Sequence, residues 1–237
     1  MDVVGQLVLL REKGRFRLEE VTLGPLRVLR VTLFEPEGLR PWRLRRRLRR
    51  AERALAREGV GRVVLGDGFP YEDRLTLLRP VDVLPLRRGC ADVLALGALE
   101  AEGIPRKRGR VALSGPRLCG ELEDAAERLC PQVRGLLIEA PGGEDYARYL
   151  QAKFGLPVTP AAAGADVTVA FGPKGERWGR AVELYEGGTL NGLTLKAEGV
   201  ALPPDCGEKI LALLWEKGEL NRERLCSQLI DTGERRE

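Results

Sequence analysis

The 237-residue sequence predicts an α/β fold: a Rossmann-like three-layer parallel or mixed sheet with an N-terminal antiparallel β-meander and a C-terminal β/α extension. Three observations carry this. Short apolar runs at 62–65, 110–113, 133–138 and 167–171 alternate with helical patterns at 40–57, 88–102, 121–130 and 144–154, the rhythm of parallel β-α-β units. Val111-Ala112-Leu113 and Leu136-Leu137-Ile138 are apolar at successive positions, as strands buried on both faces are. The 43% hydrophobic content is ample for a core. The expected divisions are 1–38 for the meander, 39–175 for the α/β core and 176–237 for the extension.

In the meander, 7–10 is the first strand and Glu12-Lys13-Gly14 the turn that follows. Phe16, Leu18 and Val21 partly alternate with Arg15, Arg17 and Glu19 in the second strand, and 26–34 is the third. Pro36 and Pro41 punctuate the end.

Residues 40–57, RPWRLRRRLRRAERALAR, form a helix. Leu44, Leu48, Ala51 and Leu55 recur at i, i+4, i+7 and i+11, one apolar stripe at a period of about 3.6 residues. The segment holds nine arginines against one acid, Glu52, a charge of +8. The whole chain is +4, so everything outside the segment is −4. The basic character belongs to one helix.

The strand at 62–65 runs into the loop 66–71, and 81–84 is a weaker strand between Pro80 and Pro85. A helix over 88–102 leads to the strand 110–113, the helix 121–130, the strand 133–138, the helix 144–154, a short extended piece at 156–159 and the strand 167–171. Strands at 181–185 and 193–197 flank the turn pair Gly187-Gly188. Asp205 is placed to cap a helix over 206–216. Gly218 ends that helix and 222–230 forms a last one, a C-terminal helical hairpin packed on the domain.

Absences narrow the chemistry. Histidine is missing, so this chain alone builds no Ser-His-Asp triad, Cys-His dyad or His-ligated metal site. Cys90, Cys119, Cys130, Cys206 and Cys226 contain no CxxC, and no metal site is expected. An odd number of thiols in a chain large enough to need no staples indicates reduced cysteines and a cytoplasmic protein. The start carries no basic, apolar leader pattern, and no apolar run approaches the length of a transmembrane segment. General acid–base work would fall to Asp, Glu, Lys, Tyr or Cys, and no pair of these is convincingly placed. The cofactor is left open, and a hydride-transfer or group-transfer enzyme whose cofactor carries the chemistry stands beside a fold without catalysis.

Ligands of open α/β sheets lie beyond the carboxyl ends of the strands. Four loops qualify. Ser114-Gly115-Pro116-Arg117 offers a hydroxyl and a guanidinium at a strand-to-helix junction. The loop 172–180 holds three glycines with Lys174, Arg177 and Arg180, yet it is neither a Walker A loop nor a dinucleotide fingerprint; its plain alternative is a hairpin-type connection. Asp67 sits between two glycines, as a carboxylate ligand or as an ordinary turn pair. The loop 140–145 has two glycines, but Glu144 and Asp145 in the first helical turn would repel phosphate. The leading expectation is therefore a small anionic metabolite or nucleotide held at the C-terminal sheet edge by Ser114, Arg117, Lys174, Arg177 and Asp67. The alternative is a nucleic-acid or acidic-partner binding module that uses Arg43, Arg46, Arg47 and Arg50 of the arginine helix. A non-catalytic scaffold subunit is the third reading. The oligomeric state is left open.

Overall fold

The computed structural model describes residues 3–155 and 164–230, a mixed α/β chain with parallel sheets and, among those residues, six α-helices. It divides into two units. One comprises residues 1–83 and 199–219, the other 84–198 and 220–237. The extended piece expected at 156–159 lies outside the described residues.

The first unit is built on a five-stranded sheet. Its strands are β1 (Val4–Leu10), β2 (Arg17–Leu23), β3 (Leu26–Phe34), β4 (Arg62–Leu65) and β5 (Arg79–Pro80), in the order β2-β3-β1-β4-β5. Only the β2–β3 hairpin is antiparallel; β1 pairs in parallel with both β3 and β4. The expected antiparallel meander is thus corrected. Val4, Gly5, Gln6 and Leu7 are all buried, and a strand covered on both faces belongs in the middle of a sheet. The boundary expected at 38/39 cuts through this sheet, because β4 is the neighbour of β1.

Helix α1 (Pro41–Arg57) joins β3 to β4 and packs on β3. Pro41 suits the first helical position, where its missing N–H costs nothing. The stripe Leu44, Leu48, Ala51 and Leu55 is buried, and its last three residues pack with Leu7, Val31, Leu33, Val63 and Leu65. Each leucine of that stripe contributes about 1.5–3 kcal/mol relative to exposure.

The second unit contains a four-stranded sheet, all parallel: β6 (Arg110–Ser114), β7 (Gly135–Glu139), β8 (Val167–Ala170) and β9 (Arg180–Glu183), in the order β7-β6-β8-β9. Here α2 (Leu84–Gly89) and α3 (Ala91–Ala101) replace the single helix expected at 88–102, with the break at Cys90. Pro85 lets the helical run start early, at Leu84, which also removes the strand expected at 81–84. Helices α4 (Gly120–Leu129) and α5 (Gly143–Phe154) follow β6 and β7.

Two further corrections concern the C-terminal region. β9 pairs in parallel with β8, so 172–180 is no hairpin and the boundary at 175/176 splits one sheet. The last helix expected at 222–230 is a single tight turn followed by strand β11 (Leu225–Leu229), antiparallel to β10 (Leu193–Ala197). This ribbon covers α3, whose residues Leu94 to Leu99 are all buried. A β-carbon on Gly97 would stand 1.6 Å from Ser227 Oγ, and that hydroxyl donates to the Val93 carbonyl at 3.0 Å. Packing of the ribbon into this notch outweighs the helix propensity of the segment. Helix α6 (Gly207–Glu216) belongs to the first unit and packs on β4. Its cap position is Cys206, without a side-chain bond, and not the expected Asp205.

Candidate functional site

In the second unit the connections that leave β6 and β8 lead in opposite directions, to β7 on one side and to β9 on the other. The strand ends of β6 and β8 therefore form the switch point at which open parallel sheets bind ligands. Ser114 ends β6 at this point, Arg117 lies on the loop that follows it, and Lys174 and Arg177 lie on the connection after β8. The 171–179 connection closes a parallel pair without a helix, in fewer residues than the dozen or so that such crossovers usually take. It does so by doubling back over the strand ends. Gly175 has φ +109°, where L-residues are strained, and a β-carbon there would lie 2.3 Å from Ser114 Oγ and 2.9 Å from Glu139 Oε2.

The Arg177 guanidinium is engaged in holding this loop. It donates to the carbonyls of Gly172 at 2.7 Å, Gly175 at 3.0 Å and Glu176 at 3.2 Å. Lys174 and Arg117 are exposed. Arg117, together with Arg88, faces Glu121 in the first turn of α4; the backbone hydrogen bond to Glu121 is the main reason its carboxyl is held below the usual range. Glu139 ends β7. Its Oε1 accepts the Glu176 N–H at 3.2 Å, while Oε2 is buried with no hydrogen-bond partner among the described residues. Two carboxylates at this edge disfavour an anion.

Asp67 belongs to the first unit, on the loop after β4. Its N–H donates to the Asp205 carbonyl at 2.7 Å and its carboxylate meets Lys209 Nζ of α6 at 3.0 Å. These bonds tie α6 to the end of β4. A cavity of about 240 Å³ lies beside it, bordered by Leu7, Leu9, Arg11, Phe69 and Asp205.

The arginine helix presents the most strongly charged surface. Glu52, its one acid, is fully buried and accepts the backbone N–H groups of Thr76 at 2.7 Å and Leu77 at 2.9 Å. It neutralises nothing on the outer face. Arg43, Arg45, Arg46, Arg49, Arg50, Arg53 and Arg57 are exposed, and among the described residues none of them forms an ion pair with a carboxylate. Arg43 stands over the Trp42 ring at 5.2 Å, and Trp42 is 54% exposed. Arg50 covers the Phe16 ring at 4.7 Å, and Arg47 donates to the Phe34 carbonyl. These side chains border an open trough of about 1230 Å³. Arg43, Arg46, Arg47 and Arg50, singled out in the sequence, all line it. The inward turn of Glu52 was not legible, because it depends on a loop 24 residues away.

Among the described residues no cluster of three or more acidic or cysteine side chains is arranged to hold a metal ion, and no helix is long and apolar enough to cross a membrane. No protein-family profile matches the chain. No curated protein matches it either. Among solved structures it is similar to L-tryptophan dehydrogenase from Nostoc punctiforme, at 14% identity and a TM-score of 0.32, over 76% of this chain and 60% of that one. The chain spans less than two thirds of that protein's length.

Proposed function

We propose that this protein binds the phosphate backbone of nucleic acid along the outer face of α1. One observation carries the reading: the seven exposed arginines lie on one helix whose single acid is turned into the core. A 17-residue helix is about 25 Å long, enough to lie along several phosphates of a nucleic-acid backbone. Arginine forks match phosphate oxygens in pairs. A lipid surface fits less well, because the apolar stripe that would enter a bilayer is buried against the sheet. Titrating a labelled oligonucleotide between about 50 and 200 mM salt tests the reading, since each phosphate contact steepens the loss of affinity. Anionic vesicles and a polyglutamate peptide serve as the competing polyanions.

A second reading keeps a small ligand at the edge of the parallel sheet. It is supported by the unpartnered Glu139 Oε2 beside Ser114, and the parallel order β7-β6-β8-β9 supports reading the sheet as doubly wound and Rossmann-like. A buried carboxylate oxygen suits a hydroxyl or amine donor on a nucleotide or metabolite better than a bare anion. Lys174 and Arg117 would meet the ligand's charge, and Arg177 would act by holding the loop. Glu139→Gln abolishing a thermal shift seen with mononucleotides would support it; the same shift in the variant would remove Glu139 from the site. The five free thiols support a reducing, cytoplasmic setting for either reading.

A further inference from the structure

A second cavity, of about 430 Å³, opens beside the trough and shares Phe16, Arg47 and Arg50 with it. Its volume lies within the range of about 300–1,000 Å³ that small-molecule clefts occupy. Gly14, Arg15, Phe34 and the three shared residues border it. β2 starts at Arg17, opposite Thr32, while β3 runs on to Phe34, so the last part of β3 has no β2 partner where the cavity lies. Gly14 lies so close to the Phe34 ring that a β-carbon there would stand 2.2 Å from it. The Arg50 guanidinium lies over the Phe16 ring. No acid borders the cavity.

The walls are thus two phenyl rings and three guanidiniums, with one guanidinium already paired to a ring. That combination recognises a flat, electron-rich group joined to a negative charge. Unstacked bases are taken up on aromatic rings and on guanidinium planes, with phosphates held by arginine at the side. We infer that this cavity takes one unstacked nucleotide of a single strand whose backbone follows α1. The inference rests on the arginine-face reading and adds to it: the nucleic acid is single-stranded, and one base leaves the row of phosphates to enter between Phe16, Phe34 and Arg50. A duplex, whose bases are paired and stacked, offers only its backbone.

The test compares three probes on the full chain at low salt: a labelled oligothymidylate, an abasic strand of the same length, and a duplex. The oligothymidylate should bind about tenfold tighter than the abasic strand, the factor that one stacked base supplies. Phe16→Leu keeps an apolar side chain in the core and should remove that tenfold difference. Phe34→Leu serves as the second variant if the first does not fold. Equal binding of the base-bearing and abasic strands overturns the inference and leaves the arginine face standing. Failure of all three probes overturns both. Binding of free thymidine monophosphate that depends on Phe16, without binding of any strand, assigns the cavity to a free nucleotide and overturns the strand.

Discussion

The Glu52 carboxylate accepts the Thr76 backbone N–H at 2.7 Å. That bond ties the arginine helix to the loop before β5 and withdraws the helix's only acid from the surface. Glu52→Ala should lower stability by about 1.5–3 kcal/mol, as expected when buried hydrogen bonds to a charged group are lost. Glu52→Gln, which keeps one acceptor, should lose less. Urea unfolding measures both. Oligonucleotide affinity per folded molecule should stay close to that of the parent chain, because the removed charge never faced the ligand.

Gly97 and Ser227 make the second unit's clearest packing constraint. A β-carbon at Gly97 would meet Ser227 Oγ at 1.6 Å and its Cβ at 2.9 Å. Gly97→Val should therefore cost about 1–3 kcal/mol by overpacking. The ribbon of β10 and β11 should show the largest gain in hydrogen exchange. Exchange unchanged there would mean that the notch is not what holds β11.

The loop over the parallel strand ends depends on Gly175. Gly175→Ala places a side chain at φ +109° against Ser114 and Glu139, at a cost of about 1–3 kcal/mol. A lowered melting temperature with the affinity for oligonucleotides retained is the expected result. Loss of oligonucleotide binding in this variant would place nucleic acid at the sheet edge.

Burial pushes the Cys90 and Cys130 thiols up to about 11 and the Cys206 thiol up to about 12, from an ordinary value of 9.0. Raised values favour the protonated thiol in the folded state. Their contribution to stability is complete below pH 9.0 and declines as pH rises toward about 11 for Cys90 and Cys130 and toward about 12 for Cys206. Unfolding midpoints should fall over that window, and Cys90→Ala should flatten the fall. The same thiols should resist alkylation at neutral pH, which mass spectrometry of the native protein reads directly.

The sequence discloses the elements whose signal is local. The stripe Leu44, Leu48, Ala51 and Leu55 marks α1, and the successive apolar residues of β6 and β7 mark buried parallel strands. What it hides is set by partners distant in the chain. β1 looks like the first strand of a meander until β4 is seen beside it. Residues 225–229 read as a helix until β10 supplies an edge to pair with and Gly97 a notch to fill. Among candidate site residues, Ser114 ends β6, and the loop that carries Lys174 and Arg177 passes beside it. The engagement of Arg177 with its own loop, and the buried oxygen of Glu139, appear only once 171–179 is seen to turn back. The pairing of Asp67 with Lys209 of α6 joins residues 142 positions apart and has no local signal. The arginine run is plain in the sequence, whereas its lack of compensation follows from where Glu52 points.

Binding of nucleic acid by this protein turns on whether the exposed face of α1 contacts phosphates. The decisive measurement is the affinity of the parent chain and of a variant with Arg45, Arg46, Arg49 and Arg53 changed to Gln for one single-stranded oligonucleotide, followed as salt is raised from about 50 to 200 mM. The parent chain should lose affinity steeply, and the variant should bind more weakly with a slope shallower by about 0.7 for each phosphate contact removed. Equal affinities and equal slopes for the two proteins would contradict the assignment.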